Sequence, residues 1–128
     1  MLRFRNALIT AAAASLAVAA PAFAHPKLVS ATPAAGATVS GPTQISLTFS
    51  ETLMPQMSGL DLAMTGMAGM AHHAPMNVTG FKTSVSGDGK TLVAALPKAL
   101  PAGTYDASWH VVSTDTHRVE GHFTFTVK

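Results

Sequence analysis

Hydrophobic and polar residues alternate in several short runs of this chain, which is the pattern of half-buried β-strands. In three of these runs an apolar side chain occupies every second position. Residues two apart in a strand point to the same face, so each run predicts one buried face and one solvated face. The runs are Ile45, Leu47 and Phe49; Tyr105, Ala107, Trp109 and Val111; and Phe123, Phe125 and Val127.

Turn residues separate further runs at short intervals. Residues 78–85 and 91–96 flank residues 86–90, in which Asp88-Gly89 predicts the turn of a hairpin. Residues 28–31 predict a first strand, and no stretch combines a sustained helical period with caps. About seven short strands in about 100 residues predict an all-β fold, an antiparallel Greek-key β-sandwich of the immunoglobulin-like type. We expect its core to contain Phe49, Phe81, Trp109, Phe123 and Phe125 together with aliphatic residues.

The first 24 residues have the pattern of a secretory signal peptide. Arg3 and Arg5 precede an uncharged run from Ala7 to Ala20, and Ala22-Phe23-Ala24 follows as a small-x-small cleavage site. A membrane anchor is the alternative, but this run is shorter than the roughly 20 apolar residues that span a bilayer. We therefore expect residues 1–24 to be removed and residues 25–128 to form the mature domain.

Charge and cysteine content exclude several classes of function. The whole chain has a net charge of +2, but beyond residue 24 six Lys and Arg face six Asp and Glu. A neutral mature domain makes nucleic acid and anionic lipid poor partners. The absence of cysteine excludes a disulfide scaffold, a zinc finger, a cysteine nucleophile and a thiolate copper site. The six acidic residues form no paired pattern that would support acid/base catalysis.

Methionines are concentrated in one segment: six of the seven lie between Met54 and Met76. Three of them repeat every third residue, which is compatible with a helical core stripe because methionine fills core gaps readily. Gly66, Gly69 and Pro75 oppose that helix. Thioether sulfur is a neutral, polarisable ligand that favours Cu(I). The segment therefore predicts a mobile soft-metal loop whose ligands are Met64, Met67, Met70, His72 and Met76, with His73 able to replace His72.

A second set of candidate ligands is rich in nitrogen. With His25 as the first residue, its α-amine and imidazole can close a chelate on one ion, and Pro26 has no N–H to compete. Such nitrogen ligands suit Cu(II). Asp115 and His117 are two residues apart and point to the same side in an extended chain, with Glu51 as a further oxygen. The alternatives are that Asp115 caps a turn and His117 is a solvated loop residue. His110 and His122 are interpreted as surface residues opposite the buried face.

Residues 25–128 resemble the periplasmic copper-resistance family called CopC. The resemblance rests on HPKLVSATPAAGATV after the signal, FSETLMPQMSG, the Met/His segment and the final LPAGTYDASWHVVSTDTHRVEGHFTFTV. It implies a cupredoxin-like β-barrel or sandwich that carries copper in the periplasm at separate Cu(II) and Cu(I) sites. By position, it implies Cu(II) ligands His25, Asp115 and His117 with Glu51 nearby, and the Cu(I) ligands named above. The implied partner is a membrane copper transporter of the CopD type or another periplasmic copper protein.

Two departures from the family pattern affect the candidate sites. The family's Asp-Gly-His motif has Thr116 at its centre here, and threonine lacks the freedom of glycine at positive φ. The additional His73 displaces the last methionine, Met76, by one position.

Three classes of function differ in how much of this sequence they explain. The first is a carrier or buffer of copper. The second is a copper histidine-brace oxidative enzyme, but polysaccharide monooxygenases of that kind are longer and have a broad aromatic substrate surface. The third is a structural or adhesive sandwich, which explains the strands but not the clustered methionines. The sequence therefore predicts a copper-binding protein that is not an enzyme.

Overall fold

The computed structural model describes residues 25–67, 69–70 and 72–128. These residues form two β-sheets whose strands are mainly antiparallel. The four-stranded sheet has the order β1-β3-β7-β6, and the five-stranded sheet has the order β2-β9-β8-β4-β5. The predicted signal peptide lies outside the described residues. The strands are β1 (Leu28–Thr32), β2 (Thr38–Val39), β3 (Gln44–Phe49), β4 (Gly59–Gly66), β5 (Met76–Asn77), β6 (Lys82–Val85), β7 (Thr91–Ala95), β8 (Gly103–Val112) and β9 (Arg118–Val127).

The predicted all-β sandwich is confirmed, but it is not a closed barrel. Nine strands are present among the described residues instead of about seven, because β2 and β5 are two-residue strands at the sheet edges. Every strand pair is antiparallel except β2 with β9. None of the described segments is a helix with the length and hydropathy of a membrane span.

The alternating runs form the two inner faces of the sandwich. Ile45, Leu47 and Phe49 are buried on β3, and the same alternation holds on β8 and β9. The rings of Phe49 and Trp109 meet edge to face at 5.0 Å and so connect the two sheets. Phe81, which was expected in the core, is only half-buried and packs against it. The buried set also includes Leu53, Leu60, Leu62, Leu92, Ala94, Leu96, Leu100, Tyr105, Val111, Phe123, Phe125 and Val127.

The hairpin around Asp88 is confirmed, but its first strand is shorter than predicted. The Asp88 carboxylate accepts hydrogen bonds from the Ser86 hydroxyl and the Lys90 amide, and these lower its pKa to about 2. Extended structure begins only at Lys82 because Gly80 has φ +82°, which interrupts the strand predicted over residues 78–85.

The sequence prediction of a loop throughout the methionine segment is wrong for its first part. Residues 59–66 form β4, which pairs with β8 from Gly59 to Gly66 with one irregularity in register between Met64 and Gly66. Leu60 and Leu62 point into the core and Met64 is half-buried against it, so the period is two. The helical core stripe is also wrong, because the threefold methionine spacing crosses from this strand into a hairpin turn.

Gly121 provides the space that the indole of Trp109 occupies. A Cβ atom built on Gly121 would lie 2.5 Å from a ring carbon of Trp109, whereas a Cβ on Gly87 meets nothing within 4 Å. We expect Gly121→Ala to lower the free energy of unfolding by about 1–3 kcal/mol, because the ring must shift in a packed core. Gly87→Ala is the control. Urea denaturation followed by tryptophan fluorescence measures both, and equal stability of the two variants would contradict this packing.

Candidate metal centres

Asp115 and His117 lie in the tight loop that joins β8 to β9. The Ser113 amide donates to the His117 carbonyl (3.0 Å), and the Thr116 amide donates to the Ser113 carbonyl (2.8 Å). Within this loop the Asp115 carboxylate lies 3.2 Å from Nδ1 of the His117 imidazole. The two predicted ligands are therefore adjacent, as their spacing indicated.

Ser113 orients the carboxylate and was not singled out from the sequence. Its hydroxyl, on a buried side chain, donates to Asp115, and this bond is the main cause that lowers the pKa of Asp115. The amide and imidazole of His117 lower that pKa further. The carboxylate is therefore anionic near neutral pH, the form in which it binds cations. The position of this serine, two residues before Asp115, is the sequence signal that could have identified it.

Thr116 adopts the backbone conformation for which glycine is usually required. Its φ is 73°, in the left-handed region, which costs a non-glycine residue roughly 1–2 kcal/mol. The loop therefore keeps a glycine-like shape despite the substitution noted in the sequence. Its hydrogen bonds around Ser113 offset this local cost.

His25 lies beside His117 at the same end of the sandwich. Their ring centroids are 4.6 Å apart with planes tilted by 57°. Pro26 is fully buried, and Lys27 is held by Ser50 through its amide to the hydroxyl (2.9 Å) and through its carbonyl to the amide (2.9 Å). These contacts anchor the chain immediately after His25 and fix where residue 25 emerges.

Glu51 lies in the segment that contacts both Lys27, close to His25, and Thr114, next to Asp115. Its neighbour Ser50 bonds to Lys27, and its other neighbour Thr52 accepts from the Thr114 amide at 3.0 Å. The backbone therefore brings Glu51 to the same end as the two histidines. Across the described residues, no three His, Asp or Glu side chains are already arranged around one point as metal ligands. A bound ion would thus draw exposed side chains together.

The predicted methionine ligands lie at the opposite end of β8. Met67 and Met70 form a two-residue hairpin, each donating its amide to the other's carbonyl at 2.9 Å. Met64 pairs with Met76 across β4 and β5, so these two methionines lie opposite each other. Exposed fractions are 40% for Met67, 53% for Met70 and 56% for Met76, values that distinguish them from core methionines.

An apolar cavity of about 170 Å³ adjoins this cluster. Met64 and Met76 line it together with Tyr105 and the loop around Leu100. None of the described side chains that line it is a carboxylate, the anionic ligand that hard ions favour. The surroundings therefore suit a soft ion held by thioethers.

The two candidate centres are far apart. Met64 pairs with Tyr105 near the start of β8, whereas Ser113 follows its last residue. At the rise of an extended strand, this separation is roughly 25–30 Å. The buried core lies between them, so neither set of ligands can complete the other.

His110 and His122 lie on the outer face of the five-stranded sheet, as predicted. They line a shallow groove with Asp61 and Glu120, and Nδ1 of His122 lies 3.3 Å from the Asp106 carboxylate. This face is opposite the core.

Comparison with known proteins identifies the family. Residues 28–128 match the family model described as the CopC domain. "Copper resistance protein C" of Pseudomonas syringae pv. tomato is 49% identical, and the match covers 100% of both chains. "Copper resistance protein C" of Escherichia coli is 47% identical, over 88% of this chain and 89% of that protein.

Solved structures agree with this match. The crystal structure of PcoC, described as a methionine rich copper resistance protein from Escherichia coli, superposes with a TM-score of 0.74 at 46% identity, covering 82% of this chain and 100% of PcoC. CopC from Methylosinus trichosporium OB3b gives a TM-score of 0.65 at 30% identity, covering 81% and 94%. The chain therefore belongs to the CopC domain family of copper resistance proteins.

Proposed function

We propose that this protein is a periplasmic copper carrier or buffer for copper resistance and homeostasis, with separate Cu(II) and Cu(I) sites. Two ligand sets of different chemistry, at opposite ends of β8, are the observation that carries the proposal. The names of its relatives support copper resistance as the setting. Copper is treated as cargo and not as a catalytic cofactor. Its protein partner in this proposal is a membrane copper transporter of the CopD type or another periplasmic copper protein.

The Cu(II) site in this proposal is built on His25, which becomes the first residue when the signal is removed after Ala24. Its α-amine and imidazole supply two nitrogens, His117 supplies a third and Asp115 supplies an oxygen. The 4.6 Å between the rings of His25 and His117 supports this set. Glu51 lies at the same end of the sandwich and is the candidate for a further oxygen. Nitrogen and carboxylate ligands of this kind suit Cu(II).

The Cu(I) site uses the thioethers of Met64, Met67, Met70 and Met76 with one imidazole from the pair His72 and His73. Three of the four methionines are exposed at the tip and edge of the hairpin, where they add little packing. Thioethers bind Cu(I) without proton loss and resist oxidation better than thiolates do. These properties suit an oxidising compartment.

Titration of the mature protein with Cu(I) and Cu(II), separately and together, tests the proposal. We expect one ion of each kind to bind independently. His117→Ala should weaken Cu(II) binding by more than about tenfold, because an imidazole ligand is lost, and should leave Cu(I) affinity unchanged. His122→Ala is the matched control, since His122 also contacts an aspartate but lies on the outer face. Equal loss of both ions in His117→Ala would mean one shared site.

The α-amine of His25 gives a second test of the Cu(II) site. One glycine added ahead of His25 converts that amine to an amide nitrogen, which is no longer basic. We expect Cu(II) affinity to fall by more than about tenfold, with Cu(I) affinity as the internal control. Competition against a chromogenic chelator measures both affinities. Unchanged Cu(II) affinity would remove the amine from the ligand set.

The thioethers are tested by replacing Met64, Met67 and Met70 together with leucine. Leucine keeps the apolar volume, so we expect each substitution to cost less than about 1.5 kcal/mol of stability. Cu(I) binding should be lost while Cu(II) binding remains. Met57→Leu is the control, because Met57 is also exposed but lies outside the hairpin. Retained Cu(I) affinity in the triple variant would refute the two-site proposal.

A further inference from the structure

The two adjacent histidines of the methionine hairpin are not equivalent. In a regular two-residue hairpin closed by Met67 and Met70, the next hydrogen-bonded partner of Thr65 is residue 72. The Thr65 carbonyl instead accepts from the amide of His73 at 3.0 Å. The returning chain therefore carries one additional residue between Met70 and His73, as in a β-bulge. This bulge ties the backbone of His73 to Thr65, although His73 lies outside the strands, and the side chain of His72 is exposed.

The ring of His73 is fixed in one tautomer. Its Nδ1 lies 2.7 Å from the Ala74 carbonyl oxygen, which can only accept a hydrogen bond. Nδ1 must therefore carry the proton and donate it. In the neutral ring, Nε2 then has a free lone pair. A carbonyl on one ring nitrogen is also the usual way in which proteins orient a metal-binding histidine.

The free nitrogen of His73 is buried without a partner. Nε2 has almost no solvent-accessible area, and no described group donates a hydrogen bond to it. A buried acceptor left without a donor is unfavourable, so such an atom calls for an explanation. A soft cation that accepts this lone pair removes the deficit.

We propose that His73, through Nε2, is the imidazole ligand of the Cu(I) site and that His72 is not a ligand. This inference rests on the proposed Cu(I) function of the methionine hairpin. The spacing from Met70 in the sequence indicates His72 as the ligand, whereas this inference assigns that role to His73. The bulge explains the difference, because it moves the hydrogen bond to the Thr65 carbonyl from residue 72 to His73. His73 therefore meets the ion with its tautomer already selected by Ala74.

Paired single variants test this assignment. We expect His73→Ala to lower Cu(I) affinity by more than about tenfold and His72→Ala to leave it within about twofold, because only the first removes a ligand nitrogen. Competition with a Cu(I)-specific chelator under reducing conditions gives both values. Cu(II) affinity is the control for folding in each variant. The reverse order, or wild-type affinity in both, would overturn the assignment.

Nitrogen NMR of the unmodified domain provides a test that needs no substitution. On addition of Cu(I), the Nε2 resonance of His73 should move from the range of a free lone pair to that of a metal-bound nitrogen, while both nitrogens of His72 stay unchanged. A shift confined to His72 would overturn the inference. If wild-type protein bound no Cu(I) at all, the proposed function itself would fail, which is a distinct outcome.

Discussion

The ten-residue ladder between β8 and β9 is the constraint on which the arrangement of this molecule depends. It runs from Gly103 opposite Val127 to Val112 opposite Arg118 without a break in register. Inward side chains of both strands fill the core, and Trp109 contacts Phe49 in the other sheet. A slip of one residue would turn these side chains to solvent, so the burial fixes the register. Both candidate metal centres are attached to the ends of this ladder.

Local hydrogen bonds then determine the shape of each end. At the end that carries His25 and His117, Ser113 contacts both the carboxylate of Asp115 and the backbone of His117. At the end that carries the methionine hairpin, Thr65 and Ala74 fix the backbone and the ring of His73. Each end also contains one energetically unfavourable feature. At one end it is the positive φ of Thr116, and at the other it is the buried Nε2 of His73 without a hydrogen-bond partner. Such local costs persist where surrounding structure holds them in place, and they are common at functional sites.

Much of the fold could be predicted from the sequence, because apolar and polar residues alternate wherever only one face of a strand is buried. The strands around Phe49, Trp109 and Phe125 and the turn at Asp88 follow directly from local pattern and turn chemistry. Strand β4 was missed because the methionine spacing of three obscured the alternation of Leu60, Leu62 and Met64. The proximity of His25 to His117 depends on contacts between distant parts of the chain. The roles of Ser113 and His73 depend on hydrogen-bond geometry, which spacing alone does not determine.

The bulge at His73 has a consequence for how the methionine hairpin can change during evolution. Met64 lies opposite Met76, and the Val78 amide bonds to the Leu62 carbonyl at 2.8 Å, although the returning chain between them is longer than in a regular hairpin. The added length is absorbed at the tip and does not reach the sandwich. Insertions and deletions there are therefore nearly neutral for folding. Ligand number and spacing can diverge between relatives while the scaffold stays the same.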